Sequence, residues 1–236
     1  MAIQVSNFIS GKMANVIFYQ QYGKWIARSA PGSIKQSSNT KKRNQNFGVA
    51  ATAGRLLREQ LGNGIPFPKD KGMQSRFSGA IIKWLGKETL SNLAPQQNLP
   101  YLSGFSFNNA CDFGGRVKVK PAVSRPSNHE LLLQLPAFIP EQAFTAPAGT
   151  ALVEYCIIVA ACNLLQANQA ALKATQLLSF AYNDVTVPAQ QYSLPMLPTD
   201  GSLLLTVASV RFLKTDGRLI DKVNYLPAEV IDARYV

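Results

Sequence analysis

The stretch Ala151–Leu165 (ALVEYCIIVAACNLL) limits the fold more than any other part of the chain. It carries one charge, Glu154, and Asn163 interrupts it near its end. A membrane-spanning helix needs ~20 apolar residues, so this shorter run is predicted to be a buried β-strand. The chain around it has the same texture. From residue 96 onward, short β-rich runs fall near Gly104–Asn108, Arg116–Val123, Leu131–Leu135, Leu152–Cys162, Gln176–Tyr182, Leu203–Leu213, Leu219–Val223 and Glu229–Tyr235. Thr215-Asp216-Gly217 between two of them is a hairpin signal. Pro- and Ala-rich loops occupy 136–150 and 187–201, and Asn163–Thr175 suits a short helix or a strand extension equally. Seven or eight short strands with such turns predict an antiparallel β-sandwich, immunoglobulin/fibronectin-like or jelly-roll-like.

The first 95 residues read differently. Asn15–Tyr19 and Trp25–Arg28 flank a connection containing Gly23 and form a predicted β-hairpin. The Pro-, Gly- and Ser-bearing segment 29–39 is a loop. Thr40–Leu61 has a helical stripe of Phe47, Ala50, Ala51, Gly54, Leu57 and Leu61, with Ser38 or Asn39 as cap and Gly62, Gly64 and Pro66 as stop signals. A second helix is predicted over Met73–Leu85 and a short third one over Glu88–Leu93, before Pro95. The expected fold class is α+β, with a hairpin-plus-helix module at 1–95 and a sandwich at 96–236.

Charge separates the two parts. The net charge is +11. Residues 1–90 hold 14 of the 24 Lys and Arg against Glu59, Asp70 and Glu88, whereas 91–236 are balanced. An asymmetry of this kind points to an anionic partner for the N-terminal part: nucleic acid, an anionic membrane surface, or an acidic protein surface such as a patch on a neighbouring subunit. The candidate contact residues are Lys12, Lys24, Arg28, Lys35, Lys41, Lys42, Arg43, Arg55 and Arg58. Arg43 and Arg58 lie on or beside the apolar stripe, where they either snorkel to its rim or face a partner. Phe18, Tyr19, Tyr22 and Trp25 lie among the bases. Such aromatics can stack on unpaired bases, or pack the hairpin onto the helices.

Composition removes most catalytic chemistry. Hydrolytic triads need a base, and the single histidine, His129, lies in a predicted turn. Cys111, Cys156 and Cys162 have no metal-ligand spacing and read as small buried residues of a reducing compartment. If 151–163 is one strand, Cys156 and Cys162 share a face ~20 Å apart, too far to pair. Asp200, Asp216 and Asp221 are explained by turns, Gly114-Gly115-Arg116 is at most a weak anion nest, and there is no phosphate-loop motif. No cofactor and no metal site are expected. The N-terminus has no signal-peptide pattern, so the expected location is the cytoplasm or a virion.

One resemblance is specific to the N-terminal segment. Gly11-Lys12-Met13-Ala14-Asn15-Val16, then Gly23-Lys24, Arg28-Ser29-Ala30-Pro31, and Arg43 with Phe47, resemble the signature of an uncharacterised Bacteroidota domain-of-unknown-function family. Members begin with a G-K-x-G-N-V-V-like run and continue into a helical segment and a β-rich domain. The resemblance covers residues 10–60 best. The sequence departs from the pattern at Ala14, where the family prefers Gly, and at Lys41-Lys42. It implies the architecture and no activity. The sequence therefore predicts a non-enzymatic structural or assembly protein, a homo-oligomer of the kind found in virions or filaments, that self-associates or docks through its basic N-terminal module. The alternative is a nucleic-acid-binding protein that uses the same basic segment.

Overall fold

The computed structural model describes residues 3–5, 8–32, 37–62, 72–86, 93–127, 129–166, 172–196 and 198–236. The chain divides into two compact units, Met1–Lys42 and Arg43–Val236.

The smaller unit is a four-stranded antiparallel sheet, β1 (Ile3–Val5), β2 (Phe8–Met13), β3 (Val16–Gln21) and β4 (Lys24–Ser29), in chain order. Tyr22 and Gly23 join β3 to β4 with φ of +50° and +76°. Two successive left-handed residues are what a two-residue hairpin turn needs to match the twist of its strands. Ala14, between β2 and β3, also has a positive φ, +51°. The predicted hairpin is thus present, extended by two strands that the polar, Gly-containing sequence before residue 14 did not announce.

The larger unit is α+β, with an antiparallel β-sandwich at its centre. Helix α1 (Ser38–Leu61) runs into it, and α2 (Met73–Leu85) follows. Its strands are β5 (Gln96–Gln97), β6 (Ala122–Ser127), β7 (Glu130–Leu135), β8 (Leu152–Asn163), β9 (Leu172–Ala181), β10 (Gln190–Pro195), β11 (Ser202–Leu213) and β12 (Ala228–Tyr235), with single-turn helices α3 (Phe113–Arg116) and α4 (Pro140–Ala143). One sheet has the order β5-β12-β11-β8-β9 and the other β10-β7-β6.

Strands β8 and β11 pair over their whole length, from Ser202 opposite Asn163 to Leu213 opposite Leu152. Their side chains alternate between two cores, as the two-residue period of a strand requires. Cys156, Ile158, Ala160 and Cys162 of β8, with Leu203, Leu205 and Val207 of β11, join one core with Leu57, Leu61, Phe77, Ile81 and Leu85 of the helices. Val153, Tyr155, Ile157 and Val159, with Leu204, Val210 and Phe212, join another with Leu131, Leu133 and Leu135 of β7. The five-stranded sheet is therefore covered by helices on one face and by the three-stranded sheet on the other. This is why the Ala151–Leu165 run is apolar without alternation: neither face of its strand meets water.

The same packing corrects the expected division at residue 95. The helices share a core with the sheet, so they belong with it, and the break falls at Lys42/Arg43. Side chains fix α2 on the sheet's edge segment. Arg76 Nη1 donates to the Ser106 carbonyl at 2.9 Å, Phe77 packs against the rings of both Phe105 and Phe107, which also touch each other, and Trp84 meets Tyr235.

Other elements moved from their expected places. Of the predicted strand at Arg116–Val123, Arg116 ends α3, Ala122 and Val123 open β6, and the residues between carry only an isolated bridge from Val117 to Phe144. The Leu219–Val223 run is reduced to one bridge, Leu213 to Leu219, and a 3₁₀ turn at Val223–Tyr225. Asn163–Thr175 supplies the end of β8 and the start of β9, and residues 167–171 lie outside the described residues. So do residues 88–92 of the predicted third helix and the loop around Pro66–Asp70. Among the described residues, no helix is long and apolar enough to cross a membrane.

Candidate functional site

Residues 1–42 contain Lys12, Lys24, Arg28, Lys35, Lys41 and Lys42 and no Asp or Glu. Pairing register decides where the sheet bases point. Lys12 stands opposite Ile17, and Ile17 opposite Arg28. Directly opposed residues share a face, so Lys12 and Arg28 flank Ile17 on one side, about 10 Å apart at the usual strand spacing. Tyr19 opposite Ile26 and Gln21 opposite Lys24 continue the same face. The Arg28 guanidinium lies over the Tyr19 ring, 5.7 Å from its centroid. Lys12, Lys24 and Arg28 are all exposed.

The other face is uncharged. Val16, Phe18 and Gln20 of β3 stand beside Ser29, Ala27 and Trp25 of β4. Phe8 stacks on Trp25 with centroids 4.7 Å apart and planes 12° from parallel. Strict alternation along β2 would put Phe8 with Lys12; the φ of +109° at Gly11 breaks that alternation between them. Phe8, Phe18, Trp25 and Ala27 border a shallow apolar depression of about 240 Å³, which Ile9 and also Ile26, a residue of the opposite face by register, help to line. Phe8 remains 48% exposed, Met13 51% and Tyr22 94%. No residue among 8–32 is buried.

The remaining predicted contact residues belong to other parts of the chain. Lys35 lies outside the described residues. Lys41, Lys42 and Arg43 are exposed in the first turns of α1. That helix has no acid in its first turn, so the bases oppose the helix dipole instead of complementing it. Ser37 Oγ caps the helix by accepting from the Thr40 amide at 3.2 Å, one residue before the expected cap. Arg55 pairs with Glu59 at 2.7 Å across one helical turn. Arg58 reaches over Gly54, where burial lowers its pKa; Nη1 is enclosed without a hydrogen-bond partner. Its Nη1 has turned in against the stripe instead of reaching solvent at the rim. Arg55 and Arg58 are thus helix-bound residues, and the sequence could have shown this for Arg55 through the Arg55/Glu59 spacing.

The larger unit contains a polar cleft of about 410 Å³, lined in part by Gln96, Gln97, Arg125, Asp200, Arg234 and Tyr235. Arg234 Nε donates to Asp232 Oδ2 at 2.7 Å, and its Nη2 donates to the Val123 carbonyl at 2.9 Å. Burial, and then the Arg234 charge, lower the Arg125 pKa, which Asp200 opposes. The Asp232–Arg234 pair, through the Arg234 bond to the Val123 carbonyl, ties β12 to β6, with Arg125 and Asp200 lining the same cleft. Sequence reasoning missed it because 109 residues separate Arg125 from Arg234.

The groups considered for catalysis are dispersed. His129 is exposed in the turn between β6 and β7. All three cysteines are free and buried. Cys156 and Cys162 share the helix-facing side of β8 as expected, and burial pushes the Cys162 thiol up to about 11. Asp200, Asp216 and Asp221 are exposed. Among the described residues, no three His, Cys, Asp or Glu side chains gather as metal ligands would. Comparison with protein-family models, curated proteins and solved structures finds no match to this chain.

Proposed function

We propose that the chain is a non-enzymatic assembly protein whose N-terminal sheet associates with other copies of the chain through its uncharged face. The observation that carries this reading is that no residue among 8–32 is buried, although the sheet holds Phe8, Val16, Phe18 and Trp25 on one side. A small sheet needs a hydrophobic face packed against something to be stable. The uncharged face suits a second copy. Each copy carries +11, so two copies meeting by their basic faces would repel, whereas the aromatic faces bring no charge together. A symmetric, self-complementary contact is the simplest closed form of such an interface. The β-sandwich unit is then the body that the sheet links.

The test is light scattering of the purified full chain over a wide concentration range, with and without nuclease treatment. The reading expects a concentration-dependent species larger than the monomer that survives nuclease. A monomer at every concentration overturns it.

A further inference from the structure

The opposite face of the same sheet carries a second inference. We infer that the face bearing Lys12, Lys24, Arg28 and Tyr19 binds the phosphate backbone of a single-stranded nucleic acid. It concerns the face that self-association leaves open, and it stands or falls separately from that association.

Three observations converge. The first is the absence of any carboxylate in residues 1–42, so nothing in the unit can neutralise these bases. The second is register. Lys12 and Arg28 stand in one cross-strand rung on either side of Ile17, and Lys24 lies on the same face four residues from Arg28, about 13 Å along an extended strand. Three exposed cations are thus spread over a flat surface instead of converging on one small ligand. The third is the stacking of Arg28 on Tyr19, which holds the guanidinium above the sheet.

The chemistry selects the partner. Interfaces between proteins are depleted of lysine at their centres, whereas nucleic-acid interfaces are more polar and much more positive. Duplex major grooves admit a helix or a two-stranded ribbon, not the broad face of a four-stranded sheet. A single strand can be laid across such a face, its phosphates on the cations and a base against the exposed Tyr22.

The experiment is fluorescence anisotropy with labelled dT20 and rU20 oligonucleotides and a 20-base-pair duplex, titrated with the full chain between ~50 and ~200 mM salt. Both single strands are expected to bind, with log K falling against log salt at a slope of about −2, the value for three phosphates at ~0.7 each. In the Lys12→Gln/Arg28→Gln variant, the slope should shrink to below about 1 in magnitude. Lys222→Gln, an exposed lysine of the other unit, should leave it unchanged. Circular dichroism and melting temperature should match the parent in both variants. Any of four results overturns the inference: no binding at the low-salt end, an unchanged slope in the double variant, duplex bound as tightly as dT20, or displacement of dT20 by polyglutamate at equal charge. The last would assign the face to an acidic protein. Particle mass measured on the same samples separates the two readings, because a nuclease-resistant oligomer that fails to bind oligonucleotide removes this inference and leaves assembly standing.

Discussion

Phe8 and Trp25 stack at 4.7 Å across the N-terminal sheet, yet Phe8 keeps 48% of its surface exposed. An aromatic pair of this geometry contributes about 0.5–1.5 kcal/mol beyond burial of its area. In the proposed assembly that pair would be the centre of the contact. Phe8→Ala should therefore weaken self-association by roughly tenfold, the equivalent of about 1.4 kcal/mol, read as a shift in the concentration dependence of scattering. The sandwich unit should melt as before.

The β3–β4 turn is strained by its first residue. Tyr22 has a left-handed backbone and an almost wholly exposed side chain, so its ring offers little to offset that conformation. Asn adopts the left-handed region more readily. Tyr22→Asn should protect the backbone amides of β3 and β4 from hydrogen exchange by a further few-fold. Gly23→Ala, at a φ of +76°, should cost about 1 kcal/mol and speed that exchange.

Asp232 and Arg234 are both enclosed, with side chains 7% and 9% exposed. Removing one member of a buried pair leaves the other charge without compensation and costs about 3–5 kcal/mol. Asp232→Ala should lower the urea midpoint of the larger unit by that equivalent. Arg218→Ala should have a much smaller effect, because its contact with Asp216 is 3.5 Å and solvent-exposed.

Cys162 links stability to alkaline pH. Burial raises its pKa from 9.0 to about 11, so between those values the folded chain holds a proton that the unfolded chain has released. The stability contribution is complete below about pH 9 and declines as pH rises toward 11. Urea denaturation at intervals over that range should show the decline, on the order of 2 kcal/mol. It should be flatter in Cys162→Ala once the Ala variant's constant offset from its cavity is subtracted.

Elements with long periodic signals were readable in advance. The Met73–Leu85 helix matches its expected span because Phe77, Ala80, Ile81, Trp84 and Leu85 keep a 3.6-residue spacing. Strands β8 and β11 were visible as apolar runs. The stripe of α1 was misread at its start: Asn46 is buried and Phe47 is 60% exposed. Asn46 Nδ2 points at the Gly86 carbonyl at 3.5 Å, a tertiary partner that periodicity cannot show. The alternation of Tyr192 and Leu194 in β10 is too short to stand out in a Pro-rich stretch; the strand is held by register with β7, from Gln190 opposite Leu135 onward. At the candidate site, the residue types and excess charge were legible. The segregation of Lys12, Lys24 and Arg28 from Phe8, Phe18 and Trp25 was not, because it depends on which residues pair across strands.

The most direct measurement is the mass of the full chain by size-exclusion chromatography with light scattering, comparing the parent with Trp25→Glu after nuclease treatment. A glutamate at this position places a charge in the middle of the uncharged face. The parent should elute as an oligomer whose mass rises with concentration, and Trp25→Glu as a monomer of about 25.7 kDa with the same melting temperature. A parent that is monomeric throughout, or a Trp25→Glu chain that assembles as well as the parent, would contradict the assignment of this face to self-association.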